Sequence, residues 1–317
     1  MSARPIVLDV DTGIDDALAI LHLLGSGGDL LAAGSVHGNV PAPLGAANTL
    51  RVLEIAGRTD IPVRVGAARP LAQPLLTSEY VHGQDGLGNT GLPAPTAALA
   101  AGSAAEQIVN LARRRPGEFT LVAVGPLTNL ALALLMEPEL PHLIPEVMVM
   151  GGAVSVGGNV TAVAEANTWH DPEAAALVIE APWQTTFVTL DATMQTLLSP
   201  EQLAALAAGT SRSARFAWSI LDFYLDAYEP WLPTRTCPLH DPLAVALALD
   251  PSLATYTTLP TRIELRGEQT RGATVCDRRY GDDRGEPQAE PWWPVRYVDE
   301  LDVERFHALF LASILDA

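Results

Sequence analysis

Short apolar runs alternate with helix-length amphipathic segments over the first two thirds of the chain. The apolar runs predict strands at Ile6–Asp9, Leu31–Val36, Val63–Gly66, Phe119–Val124, Val147–Met150 and Thr186–Leu190. The amphipathic segments predict helices at Ile14–Leu24, Leu44–Ala56, Ala104–Arg114, Leu127–Met136, Pro172–Glu180 and Pro200–Ala207. This alternation predicts an α/β fold, with a mostly parallel, open, Rossmann-like sheet and helices on both faces.

The rest of the chain adds a closing helix and one long loop to this picture. Val303–Leu315 has the pattern of a helix, and the glycines and prolines of Arg278–Pro294 predict an exposed loop. We find no internal repeat and no composition shift that marks a linker. Residues 1–317 are therefore expected to form one domain.

Composition and charge exclude several classes of partner and chemistry. The net charge of −18 argues against a nucleic-acid backbone or an anionic membrane as partner. All 19 basic residues are Arg, so Schiff-base and P-loop mechanisms, which need a lysine, are excluded. No apolar stretch approaches the length of a membrane span. The only cysteines are Cys237 and Cys276, so no disulfide framework is implied and a reducing, cytoplasmic setting is expected.

Four carboxylates are concentrated where the first strand passes into the first helix. Asp9 and Asp11 project to the same side of an extended chain, Gly13 allows a sharp turn, and Asp15 and Asp16 open the helix. Crowded carboxylates repel unless a cation neutralises them, and oxygen-only ligands favour Ca²⁺ or Mg²⁺. The alternative is structural, because acids at a helix start also complement the helix dipole.

Further polar segments lie near the ends of other predicted strands. They are His37-Gly38-Asn39, Val81–Gly88, Val124–Asn129, Met150–Glu173 and Cys237–Pro242. Each also has a structural interpretation. Asn39 fits a turn, Thr128 fits a helix N-cap, and Asp171 before a proline fits an N-cap more closely than a functional role. His82 fits a solvated loop, whereas His240 beside an acid suits proton donation to a leaving group.

The pattern Asp9-x-Asp11-x-Gly13-x-Asp15-Asp16, joined to His240-Asp241-Pro242, resembles the signature of the Ca²⁺-dependent nucleoside hydrolases. Matching segments extend from Ile6 to about Arg278, which is nearly the whole chain. The resemblance implies hydrolysis of the N-glycosidic bond of ribonucleosides to ribose and a free base. It also implies a homodimer or homotetramer that acts on a small molecule.

The resemblance further implies roles for individual residues. The Ca²⁺ ligands would be Asp11, Asp16, Asp241 and the backbone carbonyl of Val124. The substrate-binding residues would be Asp15, Asn39, His82, Met150, Asn159, Glu165 and Asn167. Asp11 would be the general base and His240 the general acid, while Asp9 would support the site from behind. Tyr224 and Tyr228 share a helix face and, with Trp231, would stack on the base or else belong to the core.

Two departures from the family pattern and two competing functions stay open at this stage. Thr12 stands where a proline is usual, and His37 stands where a small or aliphatic residue is usual. The preferred base is not predicted. One alternative is a metal-dependent phosphatase with an aspartyl nucleophile, although Gly13 departs from that motif and the usual lysine is absent. The other is a non-catalytic nucleoside- or sugar-binding protein.

Overall fold

A computed structural model describes residues 4–279 and 292–316 of the protein. The strands in these ranges are β1 (Ile6–Val10), β2 (Leu30–Ser35), β3 (Val63–Val65), β4 (Thr120–Ala123), β5 (Glu146–Met150), β6 (Gln184–Val188), β7 (Ala254–Ile263), β8 (Thr274–Cys276) and β9 (Trp293–Leu301). They form one sheet in the order β3-β2-β1-β4-β5-β6-β9-β7-β8.

The sheet is parallel from β3 to β9 and antiparallel at its far edge. β1 pairs in parallel with β2 and β4, and the parallel pairing continues through β5, β6 and β9. β7 pairs antiparallel with β9 and β8. The mostly parallel open sheet is therefore confirmed, with an antiparallel edge that the sequence did not predict.

Helices cover both faces of the sheet. Those in the described ranges are α1 (Ile14–Gly25), α2 (Ala42–Ile55), α3 (Glu79–His82), α4 (Ala104–Arg114), α5 (Thr128–Met136), α6 (Leu140–Leu143), α7 (Ala166–His170), α8 (Pro172–Glu180), α9 (Leu190–Thr193), α10 (Pro200–Ala208), α11 (Arg212–Tyr228), α12 (His240–Leu249) and α13 (Val303–Leu315). A 3₁₀ turn spans Pro251–Leu253. One core cluster packs α1, α11, α12 and α13 against one face, and a second packs α4, α5 and α8 against the other.

Local sequence signals set several helix boundaries. Ser103 Oγ accepts from Glu106 N and Glu106 Oε2 accepts from Ser103 N, so this capping box starts α4. Asp171 Oδ1 accepts from Ala174 N and Pro172 occupies the first position of α8. Within the two described ranges, no helix combines the length and apolar character needed to cross a bilayer. Most of the predicted loop Arg278–Pro294 lies outside the described residues.

Candidate functional site

The aspartates of the first segment lie at the point where the strand order reverses. β1 lies between β2 and β4. The connection after β1 leads to β2 on one side, whereas the connection after β4 leads to β5 on the other side. Asp9 belongs to β1 and Asp11 follows it directly, while Val124 follows β4. Open α/β sheets bind ligands outside the carboxyl ends of their strands at such a reversal. The acidic residues therefore occupy the edge of the sheet where a ligand is expected.

Three carboxylates at this edge could together hold a cation. One oxygen from each of Asp15, Asp16 and Asp241 lies within 4.8 Å of the others, and all three residues are buried. Among the described residues, no donor reaches Asp241 Oδ2. Burial and the nearby Asp15 carboxylate raise the pKa of Asp241, and they raise the pKa of Asp16 to about 7. A buried, unpaired oxygen in an all-oxygen donor set fits a hard cation such as Ca²⁺ or Mg²⁺.

Asn39 connects the two aspartates that flank the turn after β1. Its backbone N–H donates to Asp11 Oδ2 over 2.6 Å, and its Nδ2 donates to Asp11 Oδ1 over 3.2 Å and to Asp16 Oδ2 over 3.0 Å. The Asp16 carboxylate also accepts from Asp11 N and Gly13 N. Burial and the Asp16 carboxylate raise the pKa of Asp11 well above its ordinary value. The loop after β2 therefore fixes the orientation of both carboxylates.

Gly38 allows this close approach, and an alanine there is expected to impair catalysis. A Cβ on Gly38 would lie 2.0 Å from Asp11 Oδ2, so Gly38→Ala must displace the loop or the carboxylate. Because a misplacement of about 1 Å can lower rate about 100-fold, we expect kcat to fall by roughly that factor. Gly45→Ala is the control, since its Cβ would be 3.4 Å from the Asp11 backbone. Equal kcat values for the two variants would contradict this account of the loop.

A cavity of about 620 Å³ opens beside the carboxylates. It is lined by all of the residues for which the sequence predicted a site role, except Asp9, Asp11 and Asp16. Asp11 and Asp16 contact the lining residue Asn39. Its volume lies within the range usual for small-molecule sites. No arginine lines the cavity within the described residues, so nothing in its wall favours a phosphorylated ligand.

One wall of the cavity carries fixed polar groups suited to a sugar. Glu165 is the N-cap of α7, and its side chain accepts from the backbone N–H groups of Gly152, Asn167 and Thr168. Asn167 Nδ2 donates to Val124 O over 2.8 Å and to Met150 O over 3.1 Å. Asn159 Oδ1 accepts from Ala166 N at the rim. These contacts hold amide and carboxylate groups rigidly at the cavity surface.

The opposite wall is built from two histidines. His82 Nδ1 accepts from Ile14 N over 3.1 Å, and burial lowers the pKa of His82 to about 3. His240 Nδ1 pairs with Thr193 Oγ1 over 2.7 Å, and its Nε2 pairs with the Tyr228 hydroxyl over 2.9 Å. Burial lowers the pKa of His240 to about 4. Both imidazoles are therefore neutral in the free protein at neutral pH.

The aromatic residues divide between the core and the cavity mouth. Tyr224 and Tyr228 are buried on one face of α11, with ring centroids 4.9 Å apart, and both also line the cavity. The Tyr224 hydroxyl donates to Asp15 Oδ2 over 3.2 Å. Trp231 is 59% exposed and Tyr80 is 60% exposed at the rim. Sequence reasoning missed Tyr80 and Thr193, since neither belongs to a motif, although Tyr80 stands within three residues of His82.

Comparisons with known proteins agree with this geometry. The sequence model of the family described as inosine-uridine preferring nucleoside hydrolase matches residues 6–308. The chain belongs to that family. Its reaction is the hydrolysis of the N-glycosidic bond of ribonucleosides to ribose and a free base. This family assignment also decides against the phosphatase and the non-catalytic binding protein.

Individual relatives cover most of the chain. It is 41% identical over 280 residues to the pyrimidine-specific ribonucleoside hydrolase of Shewanella woodyi, covering 88% of this chain and 89% of that one. It is 37% identical over 314 residues to the inosine-uridine preferring nucleoside hydrolase of Crithidia fasciculata, covering 98% and 97%. A plant nucleoside hydrolase structure superimposes with a TM-score of 0.95 and 32% identity, covering 99% of this chain and all of that one.

Proposed function

We propose that this ribonucleoside hydrolase works with Ca²⁺ held by Asp11, Asp16, Asp241 and the carbonyl of Val124. The observation that carries the proposal is the buried group of Asp15, Asp16 and Asp241, in which Asp241 Oδ2 has no partner among the described residues. Asp11 is joined to this group through Asn39 Nδ2, which donates to both Asp11 and Asp16. Val124 O accepts one hydrogen bond, from Asn167, and a carbonyl oxygen has a second lone pair to offer. When bound, Ca²⁺ supplies positive charge that offsets the clustered carboxylates and polarises a water and the sugar hydroxyls.

Asp11 is the proposed general base that takes the proton of the attacking water. Its carboxylate is held by both donors of Asn39, so its orientation is fixed before substrate arrives. As the N-glycosidic bond breaks, positive charge develops on the sugar, as in glycoside hydrolysis. Asp15 and Glu165 place negative charge beside the sugar, and burial raises the pKa of both carboxyl groups.

The remaining sugar contacts and the base contacts are proposed by position in the cavity. Asn39, Asn159 and Asn167 donate or accept hydrogen bonds to the ribose hydroxyls, and Met150 packs against the ring. His82 borders the base. Tyr224, Tyr228 and Trp231 are proposed stacking partners for the base. The relatives include a pyrimidine-specific enzyme and an inosine-uridine preferring one, so both base classes belong in the first substrate panel.

His240 is the proposed proton donor to the departing base. Burial keeps its ring neutral in the free protein, so His240 takes up a proton from solvent before the bond breaks, which the nearby Asp15 carboxylate favours because it raises the pKa of His240. The ring returns to its neutral form when the nitrogen of the departing base receives that proton. We expect His240→Ala to lower kcat for inosine about 10²- to 10⁴-fold, the usual contribution of general acid catalysis. With p-nitrophenyl riboside, whose leaving group needs no proton, kcat should stay within about tenfold of wild type. Parallel losses on both substrates would rule out the acid role.

A panel of ribonucleosides with Ca²⁺, followed by a reducing-sugar assay, tests the proposed function. Uridine, cytidine, inosine and adenosine test the base, and 2′-deoxyuridine tests the sugar contacts. Losing one hydroxyl leaves a buried polar group unpaired at about 1–3 kcal/mol, so we expect 2′-deoxyuridine to react roughly 5- to 150-fold more slowly. Uridine and inosine that yield no ribose under any metal condition would overturn the proposal.

Two further properties belong to the same proposal. We propose a homodimer or homotetramer, which analytical ultracentrifugation measures directly. We also propose a cytoplasmic location and a role in nucleoside catabolism and salvage. The two cysteines, both free thiols, support a reducing compartment.

A further inference from the structure

A chain of three buried polar side chains lies behind the candidate site. His37 Nε2 is 2.9 Å from Thr128 Oγ1, and the Thr128 hydroxyl donates to Asp171 Oδ2 over 2.7 Å. None of the three residues is more than 1% exposed. The pairs are 91 and 43 residues apart in sequence, so the chain connects segments that only the fold brings together.

The hydrogen-bond directions in this chain are fixed by chemistry. The Thr128 hydroxyl has one proton, which it gives to the Asp171 carboxylate, so its oxygen must accept from His37 Nε2–H. Asp171 also accepts from Leu71 N and Ala174 N, which accounts for both of its oxygens. Burial lowers the pKa of His37 to about 4, so the ring carries one proton at neutral pH, and the direction of this hydrogen bond places that proton on Nε2.

Each member of the chain adjoins a segment that carries site residues. His37 immediately precedes Gly38 and Asn39, the loop that orients Asp11 and Asp16. Thr128 opens α5, a few residues after the Val124 carbonyl. Asp171 directly follows α7, the helix that Glu165 caps and that includes Asn167. The chain therefore joins the loops that follow β2, β4 and β5.

We propose that His37, Thr128 and Asp171 are positioning residues that hold Asn39 against the Asp11 and Asp16 carboxylates. This inference rests on the proposed function, because it takes the role of Asn39 and Asp11 from it. It assigns His37 a role at the position where the chain departs from its family, and it gives Asp171 a role beyond capping α8. The three residues do not touch substrate, so their effect on the reaction passes through Asn39.

Thr128→Val removes the central hydroxyl while it keeps the branched shape of the side chain. Without that hydroxyl, His37 Nε2 loses its partner and Asp171 keeps only the backbone N–H groups of Leu71 and Ala174, so the loop loses one of its buried attachments. We expect kcat for uridine to fall about 10- to 100-fold, as is usual when a group that orients an active-site residue is lost. KM should change less than about threefold, because the main loss falls on the orientation of the Asp11 base and the other ribose contacts stay in place. Thr128→Ser restores the hydroxyl and should recover kcat to within about threefold of wild type.

Thr185→Val is the matched control for loss of a buried threonine hydroxyl. Thr185 is 2% exposed in β6, and its Oγ1 has no hydrogen-bond partner among the described residues. This variant should keep the wild-type kcat. A fall in kcat of equal size in Thr185→Val and Thr128→Val would overturn the proposal, since it would assign the loss to general changes in the core.

A double-mutant cycle with Asn39→Ala decides whether the chain acts through Asn39. If it does, Thr128→Val should add less than about threefold to the loss already caused by Asn39→Ala. Fully multiplicative losses would overturn the proposal. Activity of wild type and loss of it in Asn39→Ala test the proposed function separately, because neither measurement depends on Thr128.

A second pair of variants keeps the test decisive if Thr128→Val does not fold. His37→Leu removes the Nε2 donor, whereas His37→Gln retains an amide donor at a similar reach. We expect kcat to fall at least tenfold in the first and to recover at least partly in the second. Thermal unfolding temperatures measured beside kcat separate loss of folded protein from loss of rate. Wild-type kcat in folded His37→Leu would overturn the proposal.

Discussion

Asp11→Ala is expected to lower kcat for uridine and inosine by about 10³- to 10⁴-fold, because it removes the general base and one proposed metal ligand together. The same change should leave the fold at least as stable without metal, since it removes one of several crowded carboxylates whose pKa burial raises. The measurements are steady-state kinetics with saturating Ca²⁺ and thermal unfolding in the presence of a chelator.

Asp9→Asn is the matched control for Asp11→Ala. Asp9 and Asp11 are each 1% exposed and only two residues apart, and burial raises the pKa of Asp9 to about 7. Asp9 Oδ1 accepts from Asn129 Nδ2, a contact that an asparagine can keep through its amide oxygen. We expect this variant to lose no more than about tenfold in kcat. If Asp11→Ala kept near-normal turnover, the proposed mechanism would be wrong.

The strands and the longer helices of the first two thirds of the chain could be predicted because their patterns are locally complete, whereas the short helices α3, α6, α7 and α9 were not predicted. Ala104–Arg114 and Pro172–Glu180 were predicted with their observed bounds, since a capping box and an Asp-Pro pair mark their starts. Buried parallel strands such as Val147–Met150 show as continuous apolar runs. The observed ends of the other predicted elements in this part of the chain differ from the predicted ones by one or two residues, a difference that is ordinary at element ends.

The antiparallel edge was missed because its strands lack such a pattern. Most positions of β7 are partly buried, without the alternation of a half-buried strand, and the strand contains Pro260. β9 contains Pro294. A long segment of sequence separates β9 from β7 and β8, so no local pattern indicates that these strands pair. A proline in a segment argues against an interior strand, so both segments read as loop from sequence alone although each pairs on both sides.

The candidate site could also be predicted only in part, because some of its features are local in the sequence and others join distant residues. The acidic first segment could be recognised from the sequence because four aspartates within eight residues directly follow a buried-type apolar run. Charged side chains are rarely buried unless they are paired, so this arrangement indicates a site. The grouping of Asp15, Asp16 and Asp241 could only come from the fold, since Asp241 is more than two hundred residues away. Contacts such as Asn129 with Asp9, 120 residues apart, carry no local signal at all.

Removal of Ca²⁺ by a chelator is expected to abolish turnover and to destabilise the fold in a pH-dependent way. Asp9 and Asp16 have pKa values of about 7, raised by burial from an ordinary value of 3.8. Groups with raised pKa bind protons in the folded state that the unfolded chain releases, so stability falls as pH rises from about 4 through 7. Without metal, these groups should therefore make the unfolding temperature lower at pH 8 than at pH 5.

Returning Ca²⁺ should restore both activity and stability. The gain in stability should be larger at pH 8 than at pH 5. A cation binds the ionised carboxylates and competes with protons, so the rise in unfolding temperature should be larger at pH 8 than at pH 5. Asp241→Ala removes the carboxylate with the unpaired oxygen and should reduce that rise. Mg²⁺ at equal concentration tests the choice of ion. Full turnover in chelator, or a Ca²⁺-induced rise that is equal at both pH values, would refute the metal site.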